Sequence, residues 1–377
     1  MLFEIPSLRP DEQRVVEAID ELWDDLRYQL GQPRRWYGPL RRFVAARNVQ
    51  GSNSIEGHHV SVDDAVALLE GGAALDSSPE DADAVRHYGD AMTYILQLAD
   101  DPTFTYSDGL LKALHFSMMK HDFTSNPGRF RTGAVWVVSS TDGEVVYEGP
   151  DSEVVPRLAT ELVEELNRHD GSSSSPWVPA AVAHLNLAMI HPFKDGNGRM
   201  ARALQTLVLS RARIQSDTFL SIEEYLGANT PAYYSVLGEV GQGSWNPSND
   251  ARPWLRFALR AQFIQAKTIE RRIDESARLW EAIDELRLSE GLNERVMGTL
   301  YEAAWGLRIR RSTHLNYATG ISERVATADL QRLSQEDWLI PVGERRGRYY
   351  VASGRLRTLR EDTRSKRRPI VDPFSKA

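Results

Sequence analysis

The sequence predicts a mainly α protein: a helical bundle carrying one β-hairpin, followed by a C-terminal winged helix-turn-helix domain. Three observations predict it. Apolar residues recur at helical spacing through most of the first 290 positions, a lone hairpin signal interrupts them at 126–150, and residues 291–353 order three helices before two strands. At 377 residues the chain is too long for one ordinary core, so about two or three domains are expected.

Each element has a local reason. DEQRVVEAIDELWDDLRYQL, from Asp11, places Val15, Ile19, Leu22 and Leu26 on one helical face. SVDDAVALLEGG reads as a helix opened by a capping box, Ser61 with Asp64, and closed by glycine. PEDADAVRHYGDAMTYILQLAD repeats the pattern, and SDGLLKALHFSMM starts a further helix on Ser107. In 126–150, AVWVV and EVVYE are β-type runs separated by SSTDG, a turn sequence. Helical spacing returns in SEVVPRLATELVEELNRH and in WVPAAVAHLNLAMIHPF, on either side of a loop at 172–175. GNGRMARALQTLVLSRARI opens a helix near Gly196, and AYYSVLGEV continues in the same style. After turn chemistry at 241–250 comes a long helical stretch, whose 266–290 portion reads as a linker helix.

Residues 291–353 close the ordered part. ERVMGTLYEAAWG and STHLNYATG are the first two helices, SERVATADLQRLSQEDW is the third, and DWLIPVGERRGRYYVA alternates as a hairpin with the basic tip GERRGR. Positions 354–377 read as a disordered basic tail.

Bulk properties narrow the function classes. The chain has no cysteine, which excludes disulfides, thiolate nucleophiles and zinc–thiolate sites. It shows neither a signal peptide nor an apolar run of spanning length, so a cytoplasmic protein away from membranes is expected. Net charge is −8, but residues 291–377 carry 17 Lys+Arg against 10 Asp+Glu, leaving −15 on residues 1–290. Nucleic acid is therefore disfavoured by the larger part and permitted by the basic end.

The chemistry concentrates in HPFKDGNGRMAR, residues 191–202. A helix starting at Gly196 offers unpaired N–H groups and a positive dipole end, and glycines let an anion approach the backbone. Arg199 and Arg202, three apart, share a helix face and can clamp phosphate. Asp195 is a hard oxygen ligand of the kind Mg²⁺ accepts alongside phosphates and water. His191 can serve as a general base. A histidine after a helix is more often structural, and GNG alone is usually a turn; the combination in one short frame is what points to a nucleotide.

This string resembles the signature of the Fic family, HPFx(D/E)GNGRxxR, at every fixed position. His184, seven residues before His191, and IHPF fit the helix that precedes the signature. GRFR and the following hairpin resemble the family's flap, which holds a target segment by strand addition, with EVVYE as inner strand and Tyr147 and Glu148 beside the target. AYYSVL resembles a region that lines the nucleotide pocket, which makes Tyr233 and Tyr234 candidates; either tyrosine alone fits a core role as well. The resemblance covers about residues 50–265 and implies a protein adenylyltransferase.

That resemblance implies roles. His191 would deprotonate a Ser, Thr or Tyr hydroxyl on a target protein, with self-modification as one case. Asp195 would hold Mg²⁺ (or Mn²⁺) on the α- and β-phosphates of ATP. The Gly196–Asn197–Gly198 backbone, Arg199 and Arg202 would hold the phosphates, and AMP would be transferred while pyrophosphate leaves. Gly198, rather than the lysine of a kinase-like branch, favours AMP transfer. A homodimer would suit the family.

Upstream, GSNSIEG matches the family's inhibitory pattern (S/T)xxxE(G/N) through Ser52, Glu56 and Gly57. A carboxylate paired with Arg202 would occupy the group needed by the γ-phosphate. Glu56 would equally suit a hydrolytic base removing AMP from a modified target. His58 and His59 read as surface residues, because adjacent histidines on a helix diverge.

The expected organisation is therefore an N-terminal helical region (1–106) with the inhibitory motif at 52–57, a catalytic core (107–265) with flap 134–150 and signature 191–202, the linker helix, the winged helix and the tail. In the winged helix, Ser322 to Trp338 would be the recognition helix, with Arg324, Arg345, Arg346 and Arg348 as candidate DNA contacts. Glu323, Asp329, Glu336 and Asp337 on or near that helix suit a protein partner instead, so DNA and protein both stay open. A rival from another class is a DNA-binding regulator whose Fic portion senses nucleotide without turnover.

Overall fold

The structure, a computed structural model, describes residues 1–138, 145–170, 175–212, 219–344, 347–364 and 369–375. It is mainly helical and divides into two compact units. The first comprises Met1–Gly31, Val44–Lys267 and Val371–Ala377; the second comprises Gln32–Phe43 and Thr268–Ile370.

The helices are α1 (Pro10–Leu30), α2 (Tyr37–Ile55), α3 (Val62–Leu69), α4 (Pro79–Ala99), α5 (Asp108–Met119), α6 (Val155–His169), α7 (Trp177–Ile190) and α8 (Asn197–Arg211). They continue with α9 (Glu223–Ala228), α10 (Thr230–Gly241), α11 (Arg252–Ser289), α12 (Met297–Ala304), α13 (Arg311–Tyr317), α14 (Glu323–Gln335) and α15 (Gly354–Thr363). The strands are β1 (Trp136–Val138), β2 (Val145–Glu148), β3 (Gly243–Ser244), β4 (Leu339–Val342) and β5 (Tyr349–Ala352).

In the first unit α7 and α8 form the central pair, with α4 against α8 and α6 along α7. Composition explains the placement. Twelve of the fourteen residues of α7 are buried, so it has no solvent face, whereas α6 buries only the stripe Val155, Leu158, Ala159, Leu162, Val163 and Leu166. Asn186 on α7 makes a two-way backbone clamp on Phe3, tying the N-terminal segment to the core. Ser107, Ser61 and Ser78 cap their helices by accepting backbone N–H bonds, as their sequence positions indicate. Only half of the predicted box at Ser61 forms: the Asp64 carboxylate accepts from Leu75, Asp76 and Ser77.

The hairpin pairs β1 antiparallel to β2, and β2 also pairs parallel to β3, so β2 is the middle strand. Residues 139–144 of the predicted flap lie outside the described residues.

The second unit orders α12, an isolated bridge at Ile309, α13, α14 and the antiparallel pair β4–β5. Ile309 exchanges both backbone hydrogen bonds with Tyr350, each 2.8 Å, which adds a third, one-residue strand to the sheet.

The long helical stretch is there as read, the continuous helix α11, of which 266–289 is the latter part. Other predicted boundaries need correction. Residues 32–43 belong with the second unit, not with an N-terminal region. The predicted disordered tail contains α15, anchored by buried Leu356 and by Arg360, which pairs with buried Glu275 at 2.8 Å. Farther on, Asp372 pairs with Arg260 at 2.8 Å and Phe374 lies under the Arg256 guanidinium, within the first unit. A polar composition concealed these anchors because each rests on a single side chain. The third helix of the second unit ends at Gln335, before Trp338, which is buried.

Candidate active site

The segment joining α7 to α8 is shaped by its own sequence. His191 caps α7 in a left-handed conformation, φ 50° and ψ 58°, and turns the chain out of the helix. Gly196, φ 76°, turns it again to start α8; a Cβ there would lie 2.8 Å from Met119 Sδ. Asn197, the first residue of α8, reaches back to the loop between them: it accepts from the Phe193 N–H and donates to the Phe193 carbonyl, both at 2.9 Å. The Asn197 side chain is thus spent on the loop and cannot itself contact phosphate; only its backbone N–H faces that task.

His191 is half-buried, and its Nδ1 lies 3.0 Å from the Ala188 carbonyl. A carbonyl only accepts, so Nδ1 carries the proton and Nε2 is the basic atom. Burial, with Arg131 nearby, lowers its pKa, although the Ala188 bond opposes the shift. The imidazole is therefore neutral near pH 7.

On α8 the two arginines are almost wholly buried, Arg199 at 2% and Arg202 at 1% exposure. Arg202 donates from Nε to the Ser52 hydroxyl at 2.7 Å and from its NH2 nitrogen to the Ser52 carbonyl at 3.1 Å and to Glu56 Oε1 at 2.7 Å. Arg199 approaches Asp195 Oδ2 only to 3.9 Å, and its Nε and NH1 have no hydrogen-bond partner among the described residues. A buried guanidinium with unsatisfied N–H groups beside a helix N-terminus is a site waiting for an anion.

Glu56 holds part of that place. A Cβ on Gly198 would fall 2.5 Å from Glu56 Oε1, so the carboxylate lies directly over the second glycine of the signature. Burial alone would raise its pKa, but Arg202 and Arg199 outweigh that and hold the carboxyl below its usual range. The same carboxylate helps raise Arg202 further against the opposing effect of burial. Gly57 ends the motif with φ +86°.

Asp195 is exposed, its carboxylate engaged by the Gly196 N–H at 2.7 Å. Among the described residues no group of three His, Asp or Glu side chains is arranged to hold a metal ion. One exposed carboxylate facing an anion site still suits Mg²⁺, which takes few protein ligands when phosphates supply the others.

The remaining predicted residues separate. Tyr234 is 44% exposed, with its hydroxyl 3.4 Å from the Ile55 carbonyl, at the edge of the site. Tyr233 is buried behind it, its hydroxyl 2.9 Å from His184 Nε2, so it supports the site and does not line it. His184 itself is fully buried, and its pKa is lowered to about 3 by burial. Tyr147 points into the core and donates to the Met189 carbonyl at 2.7 Å, so its ring cannot meet a target. Glu148 is exposed and accepts from the Trp136 indole at 3.2 Å. His58 is not a plain surface residue: it is half-buried, 3.0 Å from Asp81, while His59 is exposed.

Two positioning residues escaped sequence reasoning. Arg131 of GRFR donates to the carbonyls of His191 and Gly133, both at 2.8 Å, and to that of Pro150, while its own N–H reaches the Pro192 carbonyl at 2.9 Å. His115 stacks flat on Phe193, accepts from the Gly128 N–H at Nδ1 and so must donate from Nε2 to the Asp195 carbonyl, each bond 2.9 Å. Burial lowers its pKa to about 4, which keeps that tautomer. GRFR and LH were the available signals, but their partners are distant in sequence.

Beneath Arg202 lies Glu223, 1% exposed, with a short hydrogen bond from Tyr88 and no partner for Oε2 among the described residues. Burial pushes it from an ordinary 4.5 to about 7, against Tyr88 and Arg202, which favour the anion. Because the folded value exceeds the unfolded one, its contribution is full below the unfolded pKa and is lost as pH rises through about 7. Unfolding of wild type should therefore become easier between pH 5 and 8, by roughly 2–3 kcal/mol at most, and Glu223→Gln should flatten that slope. Parallel melting-temperature profiles for the two proteins would reject the assignment.

With this geometry in place, residues 105–209 match the Fic/DOC family. The chain carries a Fic domain. Among relatives, the protein adenylyltransferase Fic of Drosophila virilis is 32% identical over 249 residues, covering 66% of this chain and 47% of that protein. That of Nematostella vectensis is 25% identical over 267 residues, covering 68% and 56%. The chain spans about half the length of these curated relatives. A Fic family protein from Desulfovibrio desulfuricans G20 shares the fold with TM-score 0.58 at 22% identity, covering 93% of this chain and 98% of that one. A Fic domain-containing signaling protein from Bacteroides thetaiotaomicron matches at TM-score 0.55 and 22% identity, over 67% and 94%. Among the described residues of this chain, no helix is long and apolar enough to cross a membrane.

Proposed function

We propose that the Fic domain transfers AMP from ATP to a hydroxyl of a protein target, and that Glu56 restrains the reaction. The buried, unsatisfied guanidinium of Arg199 at the start of α8 carries this reading, because it asks for an anion beside a histidine with a bare Nε2. The relatives' name, protein adenylyltransferase, supports the same chemistry.

In the proposed step the target hydroxyl oxygen attacks the α-phosphorus and its proton passes to His191 Nε2. The bond from the α-phosphorus to the bridging oxygen breaks, and pyrophosphate leaves. Arg199, Arg202 and the first N–H groups of α8 hold the phosphates, so positioning and preset dipoles supply most of the acceleration. Asp195 is the residue that would hold Mg²⁺ or Mn²⁺, whose charge would offset that of the phosphates. Arg131 fixes the His191 carbonyl, and with it the orientation of the base. Tyr234 would border the nucleotide. A target segment could add to the open edge of β1, or to the part of β2 that β3 leaves unpaired. The target's identity, self-modification among the options, and a homodimer belong to this proposal.

Glu56 rests where a phosphate oxygen would go and occupies one arm of Arg202, so full seating of the γ-phosphate requires its withdrawal. Removal of AMP with Glu56 as base is the weaker alternative, since a carboxylate held below its usual pKa is a poor base. A sensor without turnover would have no use for the oriented tautomer of His191.

The test compares ATP labelled at the α-phosphate with ATP labelled at the γ-phosphate, using the full chain with lysate protein as acceptor. Protein-bound label from the α position only is expected. Label from the γ position would mean phosphoryl transfer and would refute AMP transfer.

A further inference from the structure

The three-helix and hairpin order of the second unit raises the question of what its third helix faces. On α14 the buried residues are Ala326, Leu330 and Leu333. Arg324, Ala328, Gln331 and Gln335, spaced four, three and four apart, form the opposite stripe, and all four are exposed. That stripe contains no carboxylate.

The acidic residues that favoured a protein partner in the sequence are otherwise engaged. Asp329 turns inward, accepting two bonds from Arg295 at 2.6 and 2.7 Å and lying 3.0 Å from His314 Nε2. His314 is fully buried and also reaches Thr299 at 2.8 Å, so Asp329 fastens α14 to α13. Glu336 pairs with Arg332 at 2.8 Å, and Glu323 pairs with Arg311 at 3.0 Å. The latter contact sets the first residue of α13 beside the start of α14 and puts a guanidinium at the head of the stripe. It is an exposed pair, cheap to exchange for a phosphate. Asp337 and Glu344 remain exposed, at the far end of α14 and in the hairpin turn. Arg348 is exposed on the hairpin, and Arg308 lies over the ring of Tyr349. The candidates Arg345 and Arg346 lie outside the described residues.

We propose that α14 enters the major groove of double-stranded DNA, with Arg324, Gln331 and Gln335 towards base edges and Arg311 and Arg348 on phosphates. The side-chain types suit that role: arginine matches the O6 and N7 acceptors of guanine, and glutamine matches the N6 and N7 edge of adenine. The excess of 17 basic over 10 acidic residues in 291–377 gives the charge complementarity, in a chain otherwise strongly acidic. The inference rests on the second unit alone and is independent of the AMP-transfer reading.

The experiment uses the full chain and a fluorescent pool of 24-bp duplexes with randomised centres, followed by sequencing of the bound fraction. Wild type is expected to bind with the logarithm of its affinity falling linearly with the logarithm of salt concentration and to enrich a common sequence. Arg324→Ala/Gln331→Ala should lose the enrichment, with discrimination down about tenfold. Arg348→Ala should weaken all sequences alike and lower the salt slope by about 1. An RNA duplex should not compete, since its major groove is too narrow for a helix. Unchanged melting temperature and circular dichroism would show that the variants fold. No duplex binding at low salt, salt-independent binding, enrichment that survives Arg324→Ala/Gln331→Ala, or a protein partner captured through this face with DNA unbound would each overturn the proposal.

Discussion

If the proposed function holds, His191→Ala should lower AMP transfer by about two to four orders of magnitude and leave ATP binding close to wild type. The expectation follows from geometry: Nδ1 is committed to Ala188, so only Nε2 can take the hydroxyl proton, and no other side chain described here presents a bare basic nitrogen at the signature loop. Single-turnover transfer with α-labelled ATP gives the rate, and equilibrium binding of ATP gives the affinity. The pH profile adds a check. Burial and Arg131 lower the His191 pKa, so the acid limb of the wild-type rate should fall below the ordinary histidine value of 6.5. A rate within threefold of wild type in the alanine variant would remove His191 from the mechanism.

Glu56→Gly raises transfer, by roughly tenfold to a hundredfold, the usual range for releasing a coupled restraint. The carboxylate covers Gly198 and holds one nitrogen of Arg202, two groups that the proposed reaction assigns to the phosphates. Its loss also leaves Arg202 buried without its counter-charge, so the nucleotide-free variant should unfold more easily, by about 3 kcal/mol. ATP should then protect the variant against heat more than it protects wild type, because phosphate replaces the missing carboxylate. Activity and thermal shift thus read one cause in two ways. A variant as stable as wild type and no more active would show that Glu56 is a bystander. Glu56→Gly/His191→Ala separates gain of access from chemistry: the double variant should bind ATP well and transfer little.

Much of this site was legible because its parts are local. His191 to Arg202 bring a base, a metal-capable carboxylate, two turn glycines and two arginines into one loop and the first turns of one helix, so their juxtaposition follows from covalent spacing and helical geometry. Helix starts at Ser61 and Ser107 were readable for the same reason, a hydroxyl meeting a backbone N–H three residues on. The inhibitory match of Ser52, Glu56 and Gly57 was visible as a pattern, and a pairing of its carboxylate with Arg202 followed only as an expectation from the family resemblance.

Tertiary structure decided what lies far apart in the chain. Whether Glu56 reaches Arg202, 146 residues away, depends on the packing of α2 against α8. Arg131 and His115 brace the signature loop through carbonyls 60 and 80 residues distant, which no local pattern encodes. Burial placed Tyr233 in the core and left Tyr234 at the edge, although the sequence offered both for the nucleotide pocket, and it turned Tyr147, expected beside the target, into the core. The acids of α14 changed meaning once Asp329 turned inward to Arg295 and His314. Composition and spacing determine which chemical groups a segment can present; only the folded chain determines which of them remain unpaired and facing a ligand.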